Sequence, residues 1–210
     1  MDDLRLTSLN LPGIDENKRP LVIAGPCSAE TEEQVMATAR QLAEKGFKIF
    51  RAGVWKPRTK PGGFEGMGET ALPWLQRVKE ETGMLIATEV AMPKHVEASL
   101  KAGVDLLWVG ARTTANPFAM QELADSLKGV DIPVLVKNPV NPDIELWIGA
   151  LQRINGAGIT RLGPSTADSP ASTRKSTAML PCGTSPLELH RRSPTCPSSA
   201  TRATSADAAT

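Results

Sequence analysis

Residues 21–45, LVIAGPCSAETEEQVMATARQLAEK, contain the pattern that decides the fold. The apolar run Leu21-Val22-Ile23-Ala24 has the length of a buried strand, and Gly25-Pro26 ends it. Thr31 to Lys45 then has the periodicity of an amphipathic helix, and Thr31 with Gln34 forms a possible capping box at its start. The stretch therefore predicts one β/α unit.

The same unit recurs along the chain as far as residue 163. The predicted strands are residues 21–24, 47–50, 84–87, 106–109, 134–136 and 159–162. Amphipathic helical stretches alternate with them at 31–45, 70–82, 94–102, 117–128 and 143–155. Because the strands are apolar rather than two-faced, the pattern predicts a parallel sheet covered by helices, either a (β/α) barrel or an open doubly wound sheet.

Polar or reactive side chains follow almost every predicted strand. In a barrel the carboxyl ends of the strands converge on one mouth, whereas an open sheet spreads them along an edge. The pattern therefore favours an α/β fold of the (β/α)8 TIM-barrel family, with about six β/α units recognisable. The residues concerned are Cys27, Ser28, Arg51, Lys56, Glu89, Arg112, Lys137 and Arg161.

The amino-acid composition of the sequence changes at Pro164. About two-thirds of the following residues are Ser, Thr, Ala or Pro, and none is aromatic, Ile or Val. Such a segment buries too little apolar surface to offset the conformational entropy lost on folding. We therefore predict an N-terminal arm at 1–20, a partial barrel at 21–163 and a low-complexity, largely disordered tail at 164–210.

Composition excludes several classes of protein. With 24 basic and 23 acidic residues and a net charge of +1, no overall field favours nucleic acid or an anionic membrane. The acidic start and the lack of a long apolar run predict a cytoplasmic protein without a signal peptide or membrane span. The odd number and irregular spacing of Cys27, Cys182 and Cys196 predict reduced thiols or ligands, not disulfides.

Several cations at predicted strand ends suit an anionic substrate. Guanidinium groups bind phosphate and carboxylate bidentately, and Lys supplies a point charge. Any one of them alone would ordinarily be a solvated or salt-bridged surface charge. Together they predict a site for a small molecule that carries both groups, formed by Arg51, Lys56, Arg58, Arg112 and Lys137.

Five strings in one order carry a resemblance to a known family. They are Gly25-Pro26-Cys27-Ser28-Ala29-Glu30, Arg51 leading to Lys56-Pro57-Arg58-Thr59, Thr88-Glu89-Val90, Gly110-Ala111-Arg112-Thr113, and Lys137-Asn138-Pro139. Over about residues 20–163 the chain resembles the type I DAHP synthases, and Phe64-Glu65-Gly66 resembles their shorter Iβ branch. The related KDO8P synthases share the barrel and the use of phosphoenolpyruvate but lack Lys-Pro-Arg-Thr.

The resemblance implies an enzyme that condenses phosphoenolpyruvate with erythrose 4-phosphate in a metal-dependent, aldol-like reaction, the first step of the shikimate pathway. It implies that Arg51, Lys56, Arg112 and Lys137 bind phosphoenolpyruvate, with Lys56 near the reacting carbons. It further implies that the string Lys56-Pro57-Arg58-Thr59 binds the aldose phosphate, chiefly through Arg58 and Thr59.

Two further residues have alternative interpretations. By resemblance, Glu89 positions water or a proton near the enol carbon; otherwise it is a structural partner of the cations. By resemblance, Cys27 is a ligand of the essential divalent metal, of the Mn, Fe, Co or Zn type, which acts as a Lewis acid; otherwise it is a small core thiol. His95 matches no family role and is predicted at the surface, and the tryptophans are predicted in the core.

The chain departs from the family after residue 163. Three of the four metal ligands, a His, a Glu and an Asp, have no counterpart, and the last two β/α units are missing. One choice of codons for residues 193–206, read two bases later, gives PDLPIFCDPSHIGG, which resembles the family's metal-histidine segment. Residues 164–169 likewise give AIHRGFS, which resembles a missing arginine segment. We hypothesise base deletions near residues 163 and 192, so that the tail is frameshifted.

Three readings of function follow. In the first, the intended gene product is a DAHP synthase that acts on small molecules, with a possible homo-oligomer formed through the arm. In the second, the polypeptide as written is a catalytically inactive fragment, an open six-stranded sheet with exposed edges. In the third, the chain is a related phosphoenolpyruvate-condensing synthase such as KDO8P synthase.

Overall fold

The computed structural model describes residues 4–15, 21–56, 62–141, 143–166 and 201–205, with the backbone alone at Thr166 and 201–205. Its strands are β1 Val22–Gly25, β2 Ile49–Arg51, β3 Leu85–Val90, β4 Leu106–Val109, β5 Val134–Lys137, β6 Leu162–Thr166 and β7 Thr201–Ser205. Its α-helices are α1 Glu32–Glu44, α2 Leu72–Thr82, α3 Pro93–Lys101, α4 Ala111–Thr114, α5 Pro117–Ser126 and α6 Ile144–Gly156. A short 3-10 helix, Gly68–Ala71, precedes α2.

All described strands are parallel and form a closed barrel in the order β1 to β7. The predicted α/β barrel is confirmed, and the bounds of the first five predicted strands lie within three residues of the observed ones. The prediction of an open six-stranded sheet is wrong for the described residues, because β7 pairs with both β1 and β6. β7 comes from the tail that the sequence predicts to be largely disordered; residues 167–200 and 206–210 lie outside the described residues.

Strand β6 begins and ends later than predicted. It spans Leu162–Thr166 instead of residues 159–162, and so continues past Pro164. Proline donates no backbone hydrogen bond, which is why a strand prediction ends there. The sheet continues because the neighbouring carbonyl of Ser165 accepts a hydrogen bond of 3.0 Å from the backbone N–H of Asn138. One consequence is that Arg161 lies at the amino end of its strand, not at the mouth as predicted.

The helices start where their capping residues place them. The Thr31 hydroxyl accepts from the Gln34 backbone N–H at 3.1 Å, and the Gln34 side chain accepts from the Glu30 backbone N–H at 3.0 Å. The first bond satisfies one of the N–H groups that a helix start leaves without partners, and the second links Gln34 to the residue before the cap, so Thr31 and Gln34 act together as the sequence predicts. Asn116 and Asp143 cap α5 and α6 in the same way.

Apolar side chains form two packed regions. One lies inside the barrel, where alternate strand residues point, and the other lies between the strands and the helices. The outer region contains the largest fully buried side chains, among them Trp147, Phe50 and Leu75. The inner region consists of Leu9, Leu11, Ile23, Ile49, Ala87, Leu106, Trp108 and Leu135.

The N-terminal arm closes the amino end of the barrel. Leu9 and Leu11 are 6% and 4% exposed and belong to the inner apolar region. The Arg161 guanidinium donates to the Leu9 carbonyl at 3.3 Å, and Thr7 N–H donates to the Thr160 carbonyl at 2.9 Å. Arg161 also forms an ion pair of 2.8 Å with Asp131. Arg161 therefore holds the arm beneath the barrel, opposite the mouth.

His95 is buried, so its predicted place at the surface is wrong. It is 4% exposed, and its ring stacks on Trp55 with centroids 4.1 Å apart. Burial, together with the nearby Lys94, lowers the pKa of His95 to about 4. Among the described residues, no helix combines the length and apolar character needed to cross a bilayer.

The arm supplies a first testable prediction. Leu11→Ala should lower the free energy of unfolding by about 2–5 kcal/mol, because it leaves a cavity in the inner apolar region. Urea denaturation of the full chain measures this loss. Leu6→Ala is the matched control, because Leu6 is only partly buried and should cost less. Equal losses for the two variants would contradict the role of the arm as a plug.

Candidate functional site

The inner face of the barrel changes from apolar to charged toward the carboxyl ends of the strands. Arg51 ends β2, Glu89 lies one residue from the end of β3, and Lys137 ends β5. Trp108 of β4 lies between these groups and the apolar residues below. Parallel closure therefore brings side chains from four consecutive strands to one mouth, as the sequence predicts for Arg51, Glu89 and Lys137.

Glu89 and Trp108 are neighbours across β3 and β4. The indole Nε1 donates a hydrogen bond of 3.2 Å to Glu89 Oε2, and both side chains are buried. The other carboxylate oxygen, Oε1, lies where a side chain on Gly110 would be, only 2.1 Å from an ideal Cβ. Glycine at 110 therefore leaves room for the carboxylate, and Trp108 fixes its orientation.

Arg51 is a buried cation with spare hydrogen-bonding capacity. Its side chain is 6% exposed, and its guanidinium carbon lies 4.8 Å from the centroid of the Trp108 ring. Its Nε has no hydrogen-bond partner among the described residues. Burial lowers the pKa of Arg51, and the nearby Cys27 and Glu89 partly offset this effect. Such a guanidinium is suited to an incoming anion.

Lys137 approaches the same indole from β5. Its Nζ lies 5.4 Å from the ring centroid. Burial, and then repulsion from Arg51, lower the pKa of Lys137 to about 8, although Glu89 opposes the shift. An anion that neutralised the two cations would relieve both effects.

Lys56 and Cys27 form the rim of the site. The Lys56 ammonium donates to the Cys27 carbonyl at 2.6 Å and to the thiol Sγ at 3.3 Å. Gly53 permits this contact, since a Cβ there would lie 2.9 Å from Lys56 Nζ. Burial opposes ionisation of the thiol, but the charges of Lys56, Arg51 and Lys137 hold the pKa of Cys27 below its ordinary value. These cations therefore favour the thiolate form of the exposed Cys27 over its form as a free thiol.

The remaining predicted site residues are placed differently. Arg112 lies in α4, directly after the mouth-lining Gly110, and is exposed. Pro57, Arg58 and Thr59 lie outside the described residues, so their predicted contacts stay predictions. The sequence prediction missed Trp108, which it left in the core without a role. The available clue was position: Trp108 is two residues after the inward-facing Leu106 and two before the Gly110-Ala111-Arg112-Thr113 string.

The described residues do not fit a complete metal site. Among them, no group of three or more His, Cys, Asp or Glu side chains could hold an ion together. Among the described residues, the family resemblance assigns Cys27 alone as a ligand. Its thiol accepts a hydrogen bond from the Lys56 ammonium. His95 is stacked against Trp55, and its Nδ1 accepts from the Ala91 N–H at 3.3 Å. The other three ligands of the family, a His, a Glu and an Asp, have no predicted counterpart in this sequence.

Fold and site together define a parallel (β/α) barrel with a cluster of cations at the carboxyl ends of its strands. A model of the DAHP synthetase I family matches residues 12–178, and the chain belongs to that family. The match continues past residue 163, where the sequence predicts the barrel to stop.

Two curated relatives share part of the chain. The phospho-2-dehydro-3-deoxyheptonate aldolase of Thermotoga maritima is 36% identical over 145 residues, which cover 67% of this chain and 40% of that protein. The 2-dehydro-3-deoxyphosphooctonate aldolase of Syntrophotalea carbinolica is 32% identical over 117 residues, covering 52% of this chain and 41% of that protein. The chain thus spans less than half the length of these curated relatives.

Solved structures show the same barrel. The crystal structure of the DAHP synthase from Thermotoga maritima matches 77% of this chain and 45% of that chain, with a TM-score of 0.65 and 30% identity. A truncated form of the 3-deoxy-D-arabino-heptulosonate 7-phosphate synthase from the same organism matches 84% and 63%, with a TM-score of 0.66 and 26% identity. The barrel predicted from the sequence is therefore the fold of the family's solved members.

The lowered pKa of Lys137 gives a second prediction. The ammonium is charged below about pH 8 and loses its proton as the pH rises through that value. Affinity for a small anion that carries phosphate and carboxylate groups should therefore fall roughly tenfold or more above about pH 8, because losing one charge-assisted hydrogen bond has about this effect. Titration calorimetry across this range measures the change. Lys137→Arg is the control, because arginine stays charged and should flatten the profile. An equally steep profile in that variant would assign the effect to another group.

Proposed function

We propose that this chain carries the phosphoenolpyruvate-binding part of a DAHP synthase. The observation that carries the proposal is the convergence of Arg51, Lys56 and Lys137 on one buried mouth, in a chain of the DAHP synthetase I family. The intended gene product is then a transferase that condenses phosphoenolpyruvate with erythrose 4-phosphate and opens the shikimate pathway.

The charges of the site suit the two anionic groups of phosphoenolpyruvate. Arg51 offers an Nε without a partner among the described residues, and Lys137 is a partly buried ammonium that interacts with it. Lys56 lies close enough that Cys27 interacts with both Lys56 and Arg51. We assign Arg51 and Lys137 to the deeper anionic group and Lys56 to the rim. Arg112, at the first turn of α4, is assigned to the group that faces solvent.

The chemistry that follows forms a carbon–carbon bond and releases phosphate. The enol carbon of phosphoenolpyruvate attacks the aldehyde carbon of the aldose phosphate, water adds at the neighbouring carbon, and inorganic phosphate leaves. Lys56 is assigned a place near the reacting carbons, where its proton can neutralise developing negative charge. Glu89 is assigned to the water or proton, because Trp108 fixes one of its oxygens by a hydrogen bond and Gly110 leaves room for the other.

The second substrate is proposed from the string Lys56-Pro57-Arg58-Thr59, with Pro57, Arg58 and Thr59 as its binding residues. A KDO8P synthase is the runner-up, since 2-dehydro-3-deoxyphosphooctonate aldolases are also relatives of this chain. Two facts favour erythrose 4-phosphate. The string is one that KDO8P synthases lack, and identity is higher with the heptonate aldolase, at 36% against 32%.

The polypeptide as written is proposed to bind but not to turn over. A divalent metal of the Mn, Fe, Co or Zn type is expected for the corrected gene product, whereas the described residues of this chain supply Cys27 alone. The roles proposed above for Lys56 and Glu89 need no metal. We further propose a cytoplasmic protein with small-molecule substrates and a possible homo-oligomer.

Binding gives the third prediction. The full chain should bind phosphoenolpyruvate, and Arg51→Leu should weaken binding at least tenfold, because a charge-assisted contact contributes about 1.5–3 kcal/mol. Titration calorimetry measures both affinities, with circular dichroism as a check on folding. Arg77→Leu is the matched control, because Arg77 is exposed on α2 and pairs with Glu32 and Glu81. A native chain that binds no phosphoenolpyruvate would refute the proposal.

Turnover gives the fourth prediction. With both substrates and manganese or iron, the chain as written should show no loss of the enolpyruvate absorbance. The chain with its two shifted segments corrected should regain activity, since those segments restore strings that resemble the family's metal-histidine and arginine segments. Sequencing the DNA against its raw traces tests the cause directly. An error-free read without the shifted frames, or turnover by the exact chain, would contradict the frameshift hypothesis.

A further inference from the structure

Trp108 contacts three of the groups assigned to phosphoenolpyruvate chemistry. Its indole donates to Glu89 Oε2 at 3.2 Å, lies 4.8 Å from the Arg51 guanidinium carbon and 5.4 Å from Lys137 Nζ. It is 4% exposed and packs with the apolar residues of the barrel interior. One side chain therefore joins the apolar interior to the charged mouth.

We propose that Trp108 is the positioning residue of the anion site: its ring face holds Arg51 and Lys137 side by side, aimed at the mouth, before a substrate binds. This inference rests on the proposed function. It goes beyond that function because it assigns the preorganisation of the two cations to a residue that need not touch the substrate.

The physical reason is the cost of placing two like charges together where little water reaches them. Arg51 and Lys137 repel each other, and burial weakens the solvation of both. The electron-rich face of an indole attracts cations, and this attraction is largest where they are desolvated. The ring thus offsets part of the repulsion without adding a negative charge, which would compete with an anionic substrate.

The strand register shows why the ring can stay in place when the substrate arrives. Trp108 pairs with Leu135, and Lys137 lies one inward position further toward the mouth. An anion enters from the mouth, so it meets the Lys137 ammonium without having to displace the indole beneath. The hydrogen bond to Glu89 fixes the indole plane, because Glu89 is its neighbour across β3 and β4.

Two substitutions separate the ring face from simple packing. Trp108→Phe and Trp108→Leu both remove the hydrogen bond to Glu89 and keep an apolar side chain, but only Phe keeps an aromatic face. We expect the phosphoenolpyruvate affinity of Trp108→Phe to stay within about threefold of the native chain. The affinity of Trp108→Leu should fall roughly tenfold, as expected for the loss of two partly desolvated cation–π contacts.

Trp147→Phe is the matched control for loss of a buried tryptophan. Trp147 is fully buried in α6, and its Nε1 donates to the Val136 carbonyl at 3.0 Å. This variant should lower the thermal midpoint without changing affinity. All affinities are measured by titration calorimetry on the full chain with phosphoenolpyruvate, beside thermal melts.

The outcomes are distinguishable. A native chain that binds no phosphoenolpyruvate contradicts the proposed function itself. A native chain that binds, with Trp108→Phe and Trp108→Leu equally weakened or equally unaffected, overturns the positioning role alone. A Trp108→Leu chain that melts no lower than Trp147→Phe yet binds about tenfold more weakly supports it.

Discussion

The site depends on one electrostatic constraint: like charges are held together in the mouth of a closed barrel. Arg51 and Lys137 are both depleted of water, and the pKa of each is lowered. Glu89 supplies one opposing charge, and the Cys27 thiol lies nearby. Because cations outnumber the carboxylate among these residues, the mouth favours an anion with more than one charge. Substrate binding and relief of the repulsion are then the same event.

The rest of the barrel maintains this constraint. The inner apolar region ends at Trp108, and the side chains below it offer the cations no polar partner. At the opposite end, Leu9 and Leu11 of the arm close the barrel, and Arg161 holds the arm through the Leu9 carbonyl. The arm thus lies at the opposite end of the barrel from the cations and covers the amino end against solvent. The mouth is left as the route by which a charged ligand can approach Arg51, Lys137 and Glu89.

Much of this could be predicted from the sequence, for identifiable reasons. The strands β1 to β5 are apolar on both faces, and their polar ends give the mouth, so Arg51, Glu89 and Lys137 could be placed together. The predicted bounds of β6 are wrong because Pro164 interrupts the strand pattern, although the carbonyl of Ser165 still accepts a hydrogen bond from the backbone N–H of Asn138. β7, with the sequence TRATS, has no apolar pattern, and its place follows from backbone pairing with β1 and β6. The sequence does not predict the contacts of Trp108 and His95, because the spacing of residues along a helix or strand does not show which side chains will pack against an aromatic ring.

The described part of the fold separates binding from transfer. Residues assigned to phosphoenolpyruvate come from the ends of β2, β3, β4 and β5, which are consecutive in sequence and paired in the sheet. The barrel closes through the backbone pairing of β7 with β1 and β6. The family's remaining metal ligands would come from later units, in the region where this chain departs from the family. Under the proposed function, a change confined to those later units removes the metal-dependent condensation but leaves Arg51, Lys56 and Lys137, and with them the binding of phosphoenolpyruvate, in place.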